Sequence, residues 1–321
     1  MRISLFARAG ATLVGALMLL TLPAAAQVVG IGTTKGGANA AVGAAIAKVV
    51  SDSAGFQMRP QKMGGTQQYM AIVNAGELEF GLSNVMQFGM AVDGAGMSEG
   101  TAHPDMRLVA TLMQFRNGVI VGKESGINSL ADLKGKRIPD GYAAAPLFSV
   151  FKDAFLASAG LTMDDVTPVP VVGLPQSWAA FREGKVDMTI AAAGAGAGAV
   201  REMEAAISGG IKYIPLVEDE ATRAALPRTR FAVIEPAKPL VGVLEPTLFN
   251  VYEYVLFANA SVNEDTVYKV VAAIIDGEKD LRATSPLWKS YKPANIATQF
   301  DGLQYHPGAV KYFKEKGLWK E

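Results

Sequence analysis

The side chains that could carry out chemistry are few, and their spacing favours binding over catalysis. The chain has two histidines, His103 and His306, and no cysteine. Neither histidine lies in a two-ligand metal spacing such as H-E-x-x-H, so loop or helix-start positions account for both. No G-x-S-x-G segment marks a serine nucleophile. The sequence therefore predicts no catalytic residue, no metal site and no cofactor, and thiolate chemistry is excluded.

One glycine-rich segment has the chemistry of an anion site. The segment Thr33–Gly37 follows a predicted strand, Val28–Gly32, and precedes a predicted helix, Ala38–Ser53. Such a unit presents free backbone N–H groups and the positive end of a helix dipole, where a small anion can bind. The segment is not a Walker loop, because Gly-Lys-Ser/Thr does not occur at the required spacing. Lys35 either contacts the anion or lies in solvent.

Similar strand, loop and helix units recur along the chain. The segment Gly64–Gln67 precedes a helical pattern, and a predicted strand, Leu78–Leu82, leads to Asn84. Another predicted strand, Val186–Ala192, leads into an alternating Gly-Ala segment at 194–199, which we interpret as a tight turn whose backbone approaches a ligand. Short β-branched runs that alternate with alanine-rich helices are typical of α/β layers over a mostly parallel sheet.

Two long extended segments could connect two lobes. They are residues 106–122 and residues 240–260, and both are largely apolar. Between them, the segment Ser129–Gly135 has a capping-box pattern that predicts a one-turn helix. A helix at 307–318 is predicted near the C-terminus, with its apolar side on the first lobe.

The N-terminal segment has the pattern of a cleaved bacterial secretory signal. Two arginines give a positive n-region, an uncharged run extends over residues 9–22, and Ala24–Ala26 fits an A-x-A cleavage site before Gln27. The apolar run is shorter than the ~20 residues of a membrane-spanning helix. Since no cysteine can carry a lipid, we expect residues 1–26 to be removed and the remaining chain to be free in the periplasm.

The net charge limits the classes of partner, and the length indicates the number of lobes. The chain has 30 basic and 30 acidic side chains, a formal net charge of zero. This balance argues against nucleic acid or an anionic membrane as the partner. With 321 residues the chain is long enough for two lobes rather than one ordinary core.

Together these motifs resemble the solute receptors of tripartite ATP-independent periplasmic (TRAP) transporters, in the TAXI family. The resemblance covers essentially the whole chain after the signal. It rests on the first glycine loop and its helix, on Gly64–Thr66, on Ala75–Phe80 and most specifically on Tyr305–Trp319. The segment Ser129–Arg137 fits too, although many two-lobed binding proteins have a similar one.

The resemblance implies an α/β, two-lobed periplasmic-binding-protein fold (type II, Venus-flytrap) with two hinge-crossing strands. Residues 27–118 together with 250–321 would form the first lobe, and residues 119–249 the second. It also implies a monomeric receptor without enzymatic activity that closes by hinge motion. Its partners would be a small organic anion, specifically a carboxylate, and the TRAP membrane permease subunits.

The resemblance also implies where the solute binds. The first-lobe contacts would be Thr33, Thr34, Gly37, Gly65, Thr66 and Asn84, and the second-lobe contacts would be Tyr142, Ala143, Gln176, Ala193 and Gly194. The chain departs from relatives at Ala38-Asn39, where a Thr-Tyr pair is common, and at 142–146, where a Gly/Ser/Thr-rich loop is common. Since hydroxyl groups are replaced, we expect a carboxylate with an apolar body rather than glutamate.

Two other functions are open to the same fold. A ligand-presenting sensor would pass the signal to a membrane histidine kinase without transport, and adjacent genes would distinguish it from a transport receptor. An enzyme similar to those of thiamine-precursor synthesis would need clustered histidines or cysteines, which the sequence does not contain.

Overall fold

The structure is a computed structural model that describes residues 28–194 and 198–320. The predicted secretory signal at 1–26, Gln27 and the middle of the predicted Gly-Ala turn lie outside the described residues.

The described residues form ten strands, ten α-helices and several short 3-10 turns. The strands are β1 (Val28–Thr34), β2 (Gln57–Met63), β3 (Phe80–Asn84), β4 (Met106–Gly122), β5 (Arg137–Gly141), β6 (Thr167–Val171), β7 (Met188–Ala192), β8 (Ile211–Ile214), β9 (Arg230–Ile234) and β10 (Thr247–Asn259). The helices are α1 (Gly37–Ser53), α2 (Thr66–Asn74), α3 (Val85–Asp93), α4 (Leu147–Ser158), α5 (Leu174–Arg182), α6 (Gly198–Ala206), α7 (Glu220–Ala225), α8 (Glu264–Asp276), α9 (Glu278–Thr284) and α10 (Pro307–Glu315). The 3-10 turns are Gly96–Ser98, Leu130–Leu133, Met163–Asp165, Pro286–Ser290 and Pro293–Asn295.

Eight strands form one continuous sheet in the order β2-β1-β3-β10-β4-β7, with β9 beside β10 and β8 beside β4. Strand β1 is parallel to β2 and β3, and β5 pairs with β6 in a separate parallel pair. The remaining pairs in the large sheet are antiparallel, so the prediction of a mostly parallel sheet is wrong. The reason is that β4 and β10 run in opposite directions through the centre, and each pairs antiparallel with all its neighbours.

The two long central strands confirm the predicted crossing segments. Strand β4 occupies the whole predicted segment, 106–122. Strand β10 begins at Thr247, later than predicted, because residues before it form turns and Pro246 has no N–H to donate to a neighbouring strand.

The buried side chains fall into separate cores along these strands. One core takes its residues from 29–113 and from 255–313, and we call this part of the fold the first lobe. Two others lie within 119–252, the second lobe, except that Met86 and Met90 of α3 join one of them. The change of core falls between residues 113 and 119 on β4 and between residues 252 and 255 on β10. The lobe boundaries at 118/119 and 249/250 stay a prediction.

Helix starts follow the sequence closely. Ser129 and Asp132 form the predicted capping box, and Asn263 caps α8. His306 caps α10, its Nδ1 accepting a hydrogen bond from the backbone N–H of Gly308 at 3.2 Å. His306 is therefore at a helix start, as predicted, and His103 lies in a loop.

Candidate functional site

The first glycine loop lies at the carboxyl end of β1, where α1 begins. Gly37 has a φ of +75°, which a glycine adopts without strain. The N-cap of α1 is Gly36, and no described side chain accepts from the first-turn N–H groups. Thr34 is partly exposed, and its hydroxyl donates to the carbonyl of Gly36 at 2.8 Å. The free N–H groups make this helix start a suitable anion-binding element.

The side chain of Thr33 points into the protein interior, unlike that of Thr34. It is fully buried, and its methyl group packs so tightly on Gly43 of α1 that a Cβ there would collide with it. Its hydroxyl has no hydrogen-bond partner among the described residues. The predicted contact is thus a buried support of the loop in this conformation.

A second uncapped helix start comes from the β2–α2 connection. Gly65 is the N-cap of α2 without a side-chain acceptor from the described chain, and Thr66 opens the helix, partly exposed. A Cβ added to Gly65 would lie 3.9 Å from the carbonyl oxygen of Ala144, which belongs to the second lobe. The loops of the two lobes therefore meet across a cleft at this point.

Asn84 differs from the other first-lobe candidates because its side chain already serves its own helix. It is the N-cap of α3, and its Oδ1 accepts from the backbone N–H of Gln87 at 2.7 Å. Its Nδ2 donates to the Gln87 side chain at 3.4 Å. The buried amide thus stabilises the start of α3, with only a long bond engaging its nitrogen.

In the second lobe, Tyr142 has an unusual backbone for a large residue, with a φ of +40°. Its ring is fully buried, and its hydroxyl lies 3.2 Å from that of Ser177, which in turn lies 2.6 Å from that of Thr189. Burial raises the pKa of Tyr142 to about 12. Backbone strain of this kind persists where the surroundings impose it. Tyr142 thus shapes the loop, while the following Ala143 is exposed.

The other second-lobe candidates lie at the next two connections. Gln176 is exposed in the first turn of α5, whose N-cap Gly173 has no side-chain acceptor within the described ranges. Ala193 is buried and its N–H donates to the carbonyl of Arg116 at 2.8 Å. Gly194 is partly exposed at the edge of the described residues.

Beneath the loops is a buried polar network that sequence reasoning missed. Nδ2 of Asn39 donates to the hydroxyls of Tyr254 at 2.6 Å and Tyr69 at 2.8 Å. Its Oδ1 accepts from the backbone N–H of Thr34 at 2.7 Å. In the sequence, only the unusual Ala38-Asn39 pair pointed to this network. The pair does not show that Tyr69 and Tyr254 are the partners of Asn39.

An aromatic series connects the two lobes on the same side of the crossing strands. Phe115 lies edge-on to Tyr254, and it stacks on Tyr252 with 5.7 Å between ring centroids. Tyr252 stacks on Phe151, and Phe148 continues the series to Tyr142; the rings in order are Tyr254, Phe115, Tyr252, Phe151, Phe148 and Tyr142. One end contacts Asn39 and the other is in the 141–146 loop, and we call this series the cleft floor. Phe115, Phe148 and Tyr254 are its partly exposed rings.

A separate cavity of about 1160 Å³ lies beside α3 and α7, and none of the predicted contacts lines it. Arg228, with a φ of +60°, crosses it from the second lobe to Asp93 of the first, 2.8 Å away. Burial raises the pKa of Glu253, also in its wall, and the charge of Arg230 opposes this rise. Because these charges already face one another, the uncapped helix starts of the cleft offer the better solute site.

Two features of other protein classes are not found in the described residues. No helix there is long and apolar enough to cross a membrane. No group of three or more His, Asp or Glu side chains in the same residues could hold a metal ion.

Comparison with known proteins places this geometry in a family. A model of the NMT1-like family matches residues 31–317. The fold is similar to PhnD1 of Prochlorococcus marinus, solved with methylphosphonate, at 10% identity and a TM-score of 0.58, covering 91% of this chain and 99% of that one. A TctC solute-binding protein from Polaromonas is similar at 16% identity and a TM-score of 0.55, covering 91% of this chain and 97% of that one. A periplasmic transporter is similar at 15% identity and a TM-score of 0.58, covering 91% of this chain and 93% of that one. These similarities confirm the predicted two-lobed α/β fold.

Proposed function

This chain belongs to the NMT1-like family, and on that premise we propose that it is a periplasmic solute-binding protein. It captures a small organic anion, a carboxylate, and delivers it to the membrane subunits of a TRAP-type secondary transporter. It binds its solute and does not transform it. The TAXI subtype, the carboxylate and the TRAP partner are the specific parts of this proposal, and the resemblance of Tyr305–Trp319 supports the subtype.

The observation that carries the proposal is a set of uncapped helix starts that meet at the cleft. Helices α3, α7, α8 and α10 are capped by side chains, namely Asn84, Asp219, Asn263 and His306, whereas α9, away from the cleft, begins at Gly277 without one. The cleft helices α1 and α2 of the first lobe and α5 of the second have no side-chain cap from the described chain. Their N–H groups come from both lobes and supply hydrogen-bond donors and positive dipole ends, the groups that hold a carboxylate without a charged side chain.

The residues that we assign to the site divide into two roles. Those at the cleft surface contact the solute, and they are Thr34, Gly37, Gly65, Thr66, Ala143, Gln176 and Gly194. The buried ones shape the loops or contribute backbone groups, and they are Thr33, Asn84, Tyr142 and Ala193. Asn84 retains an Nδ2 held only by a long hydrogen bond, so its amide can also donate to the anion.

The site favours a carboxylate with an apolar body over glutamate. The loops at 33–37, 64–66, 83–84, 141–146, 172–176 and 193–194 contain no acidic side chain. An α-ammonium group enclosed there would lack a charged acceptor, and leaving it unpaired is costly. The aromatic floor, by contrast, offers apolar surface to the body of the solute.

Titration calorimetry tests the solute class. The protein is unfolded to remove bound solute, refolded, and titrated with glutamate, small dicarboxylates, 2-oxo acids and aromatic or branched monocarboxylates. We expect the monocarboxylates with an apolar body to bind tightest. Tightest binding to glutamate would refute the preference, and failure of every carboxylate would refute the carboxylate assignment.

Uptake by membrane vesicles tests the partner. Vesicles from the source cells, supplied with the purified receptor and radiolabelled solute, should accumulate it in response to an ion gradient without ATP. Collapse of the gradient by an ionophore should abolish uptake. Uptake that instead requires ATP hydrolysis would replace the TRAP partner by an ATP-driven one.

A further inference from the structure

Four side chains on the two crossing strands form a compact square at the cleft floor. Phe115 and Asn117 lie on β4, opposite Tyr252 and Asn250 of β10 in an uninterrupted antiparallel register. Because side chains alternate along a strand, residues two apart share a face, and direct partners lie side by side. We call these four residues the hinge square. One half of it, Phe115 and Tyr252, is aromatic, and the other half, Asn117 and Asn250, is an amide pair.

The aromatic half keeps one ring available. Tyr252 is stacked between Phe115 and Phe151, with centroid distances of 5.7 and 5.6 Å and interplanar angles of 20° and 22°. Tyr252 is only 7% exposed, whereas Phe115 remains partly exposed. A planar ring of a solute can extend this stack, since offset stacking is a favoured arrangement of aromatic rings.

The amide half has unmet hydrogen-bonding capacity. Asn117 is 1% exposed, and neither its Nδ2 nor its Oδ1 has a partner among the described residues. Asn250 donates through Nδ2 to the hydroxyl of Thr229 at 2.8 Å, but its Oδ1 also has no described partner. Buried polar groups are normally hydrogen-bonded, so an amide with both atoms free leaves hydrogen bonds for a ligand or a water molecule to complete.

We infer that the hinge square selects an aromatic carboxylate, whose ring lies against Phe115 and whose polar ring substituent hydrogen-bonds with Asn117. This inference rests on the proposed function, in which the uncapped helix starts hold the carboxylate. A phenolic hydroxyl matches Asn117, because it can accept from Nδ2 and donate to Oδ1. The small Ala192 of β7, paired with Asn117 on the other side, adds no bulk beside the amide.

Three carboxylates of similar size test the inference by titration calorimetry of the full solute-stripped protein. They are 4-hydroxybenzoate, benzoate and cyclohexanecarboxylate. We expect affinity to fall in that order, by about 10-fold or more from the first to the last. This measurement needs no variant. Equal affinity of the wild-type protein for benzoate and cyclohexanecarboxylate would overturn the inference and leave the carboxylate receptor intact.

Two substitutions separate the ring from the amide. Phe115→Leu should reduce benzoate affinity about 10-fold and change cyclohexanecarboxylate affinity by less than about 3-fold, with Phe115→Tyr as the ring-retaining control. Asn117→Leu should abolish the preference for 4-hydroxybenzoate over benzoate, and Asn117→Ser serves if the leucine variant does not fold. An unchanged preference in a folded Asn117 variant would show that the amide does not contact the ring substituent, and would overturn its assignment. If none of the three binds the wild-type protein while another carboxylate does, the inference is overturned and the proposed function stands; failure of every carboxylate would refute the proposed function.

Discussion

Nδ2 of Asn39 donates a hydrogen bond to the hydroxyl of Tyr254, with 2.6 Å between the two atoms and 215 positions between the two residues. Asn39 lies in the first turn of α1, and Tyr254 lies on the crossing strand β10. The same amide bonds Tyr69 of α2 and the backbone of Thr34. A single side chain therefore fixes the first glycine loop to the strand about which the lobes would move.

We predict that Asn39→Ala destabilises the protein by about 1–3 kcal/mol, the cost of leaving buried hydrogen-bonding groups unmatched. Chemical unfolding followed by circular dichroism measures this change. The control is Asn295→Ala, since Asn295 is exposed in a 3-10 turn. An equal effect of the two substitutions would show that the Asn39 network contributes nothing beyond an ordinary asparagine.

Elements with local signals were predictable from the sequence, and contacts between distant segments were not. Strand β4 was predicted over its full length because its apolar pattern extends from Met106 to Gly122. The capping box at Ser129 and Asp132 is similarly local. Strand direction was not predictable in this way, because whether β10 pairs parallel or antiparallel depends on the path of the whole chain.

In the candidate site too, local features were predictable and contacts between distant segments were not. The glycine loops and helix starts were identified from short motifs, whereas the cleft floor joins residues that share no local pattern. Phe115 and Tyr252 are paired only because β4 and β10 are neighbours in the sheet. Tyr142 was predicted as a second-lobe contact of the solute, but its ring is fully buried and its backbone has a positive φ, neither of which a local pattern shows.

Arg228 joins the two lobes at the cavity beside α3 and α7. Its Nη2 lies 2.8 Å from Asp93 Oδ2, and its Nε donates to the carbonyl of Asp301 at 3.0 Å. We predict that Arg228→Ala weakens this contact between the lobes by about 1 kcal/mol, since the pair is only partly buried. Small-angle scattering of the unliganded protein should then give a larger radius of gyration.

The matched control for this bridge is Arg223→Ala. Arg223 pairs with Glu218 at 3.0 Å, within the same segment of the second lobe. Its removal should leave the radius of gyration unchanged. The same radius for the Arg228 variant and the wild-type protein would show that the bridge does not hold the lobes together.

The ion pair of Lys152 and Asp140 predicts a pH dependence of the second-lobe loop. Lys152 is buried and contacts Asp140, the residue before Gly141 and Tyr142. Burial alone would raise the pKa of Asp140, but the hydrogen bond from Lys152, the backbone N–H of Gly141 and the charge of Lys152 together outweigh it and lower this pKa below the ordinary 3.8. The ionised form is thus favoured in the folded state, and its contribution to stability is lost as the pH falls below 3.8 through the lower, folded-state pKa.

We therefore expect Asp140→Asn to be less stable than wild type near neutral pH, with a difference that shrinks as the pH falls below about 4. Thermal unfolding between about pH 6 and about pH 2.5 measures it. Asp52→Asn is the control, because it removes an exposed pair with Lys48. A stability difference for Asp140→Asn that stays constant over this range would contradict the assignment of the pH dependence to this carboxylate.

Asn84 allows the two roles of a candidate contact to be separated. In Asn84→Ala the N-cap is lost, so we expect a destabilisation of about 0.5–2 kcal/mol, together with weaker carboxylate binding by about 1–3 kcal/mol. Asn84→Asp keeps an oxygen to accept from Gln87 N–H but replaces the Nδ2 donor with a negative charge. Its stability should be close to wild type, while its carboxylate affinity in titration calorimetry should fall at least as far as that of the alanine variant. Wild-type affinity in Asn84→Asp would place the anion away from this residue, leaving Asn84 only as the cap that starts α3.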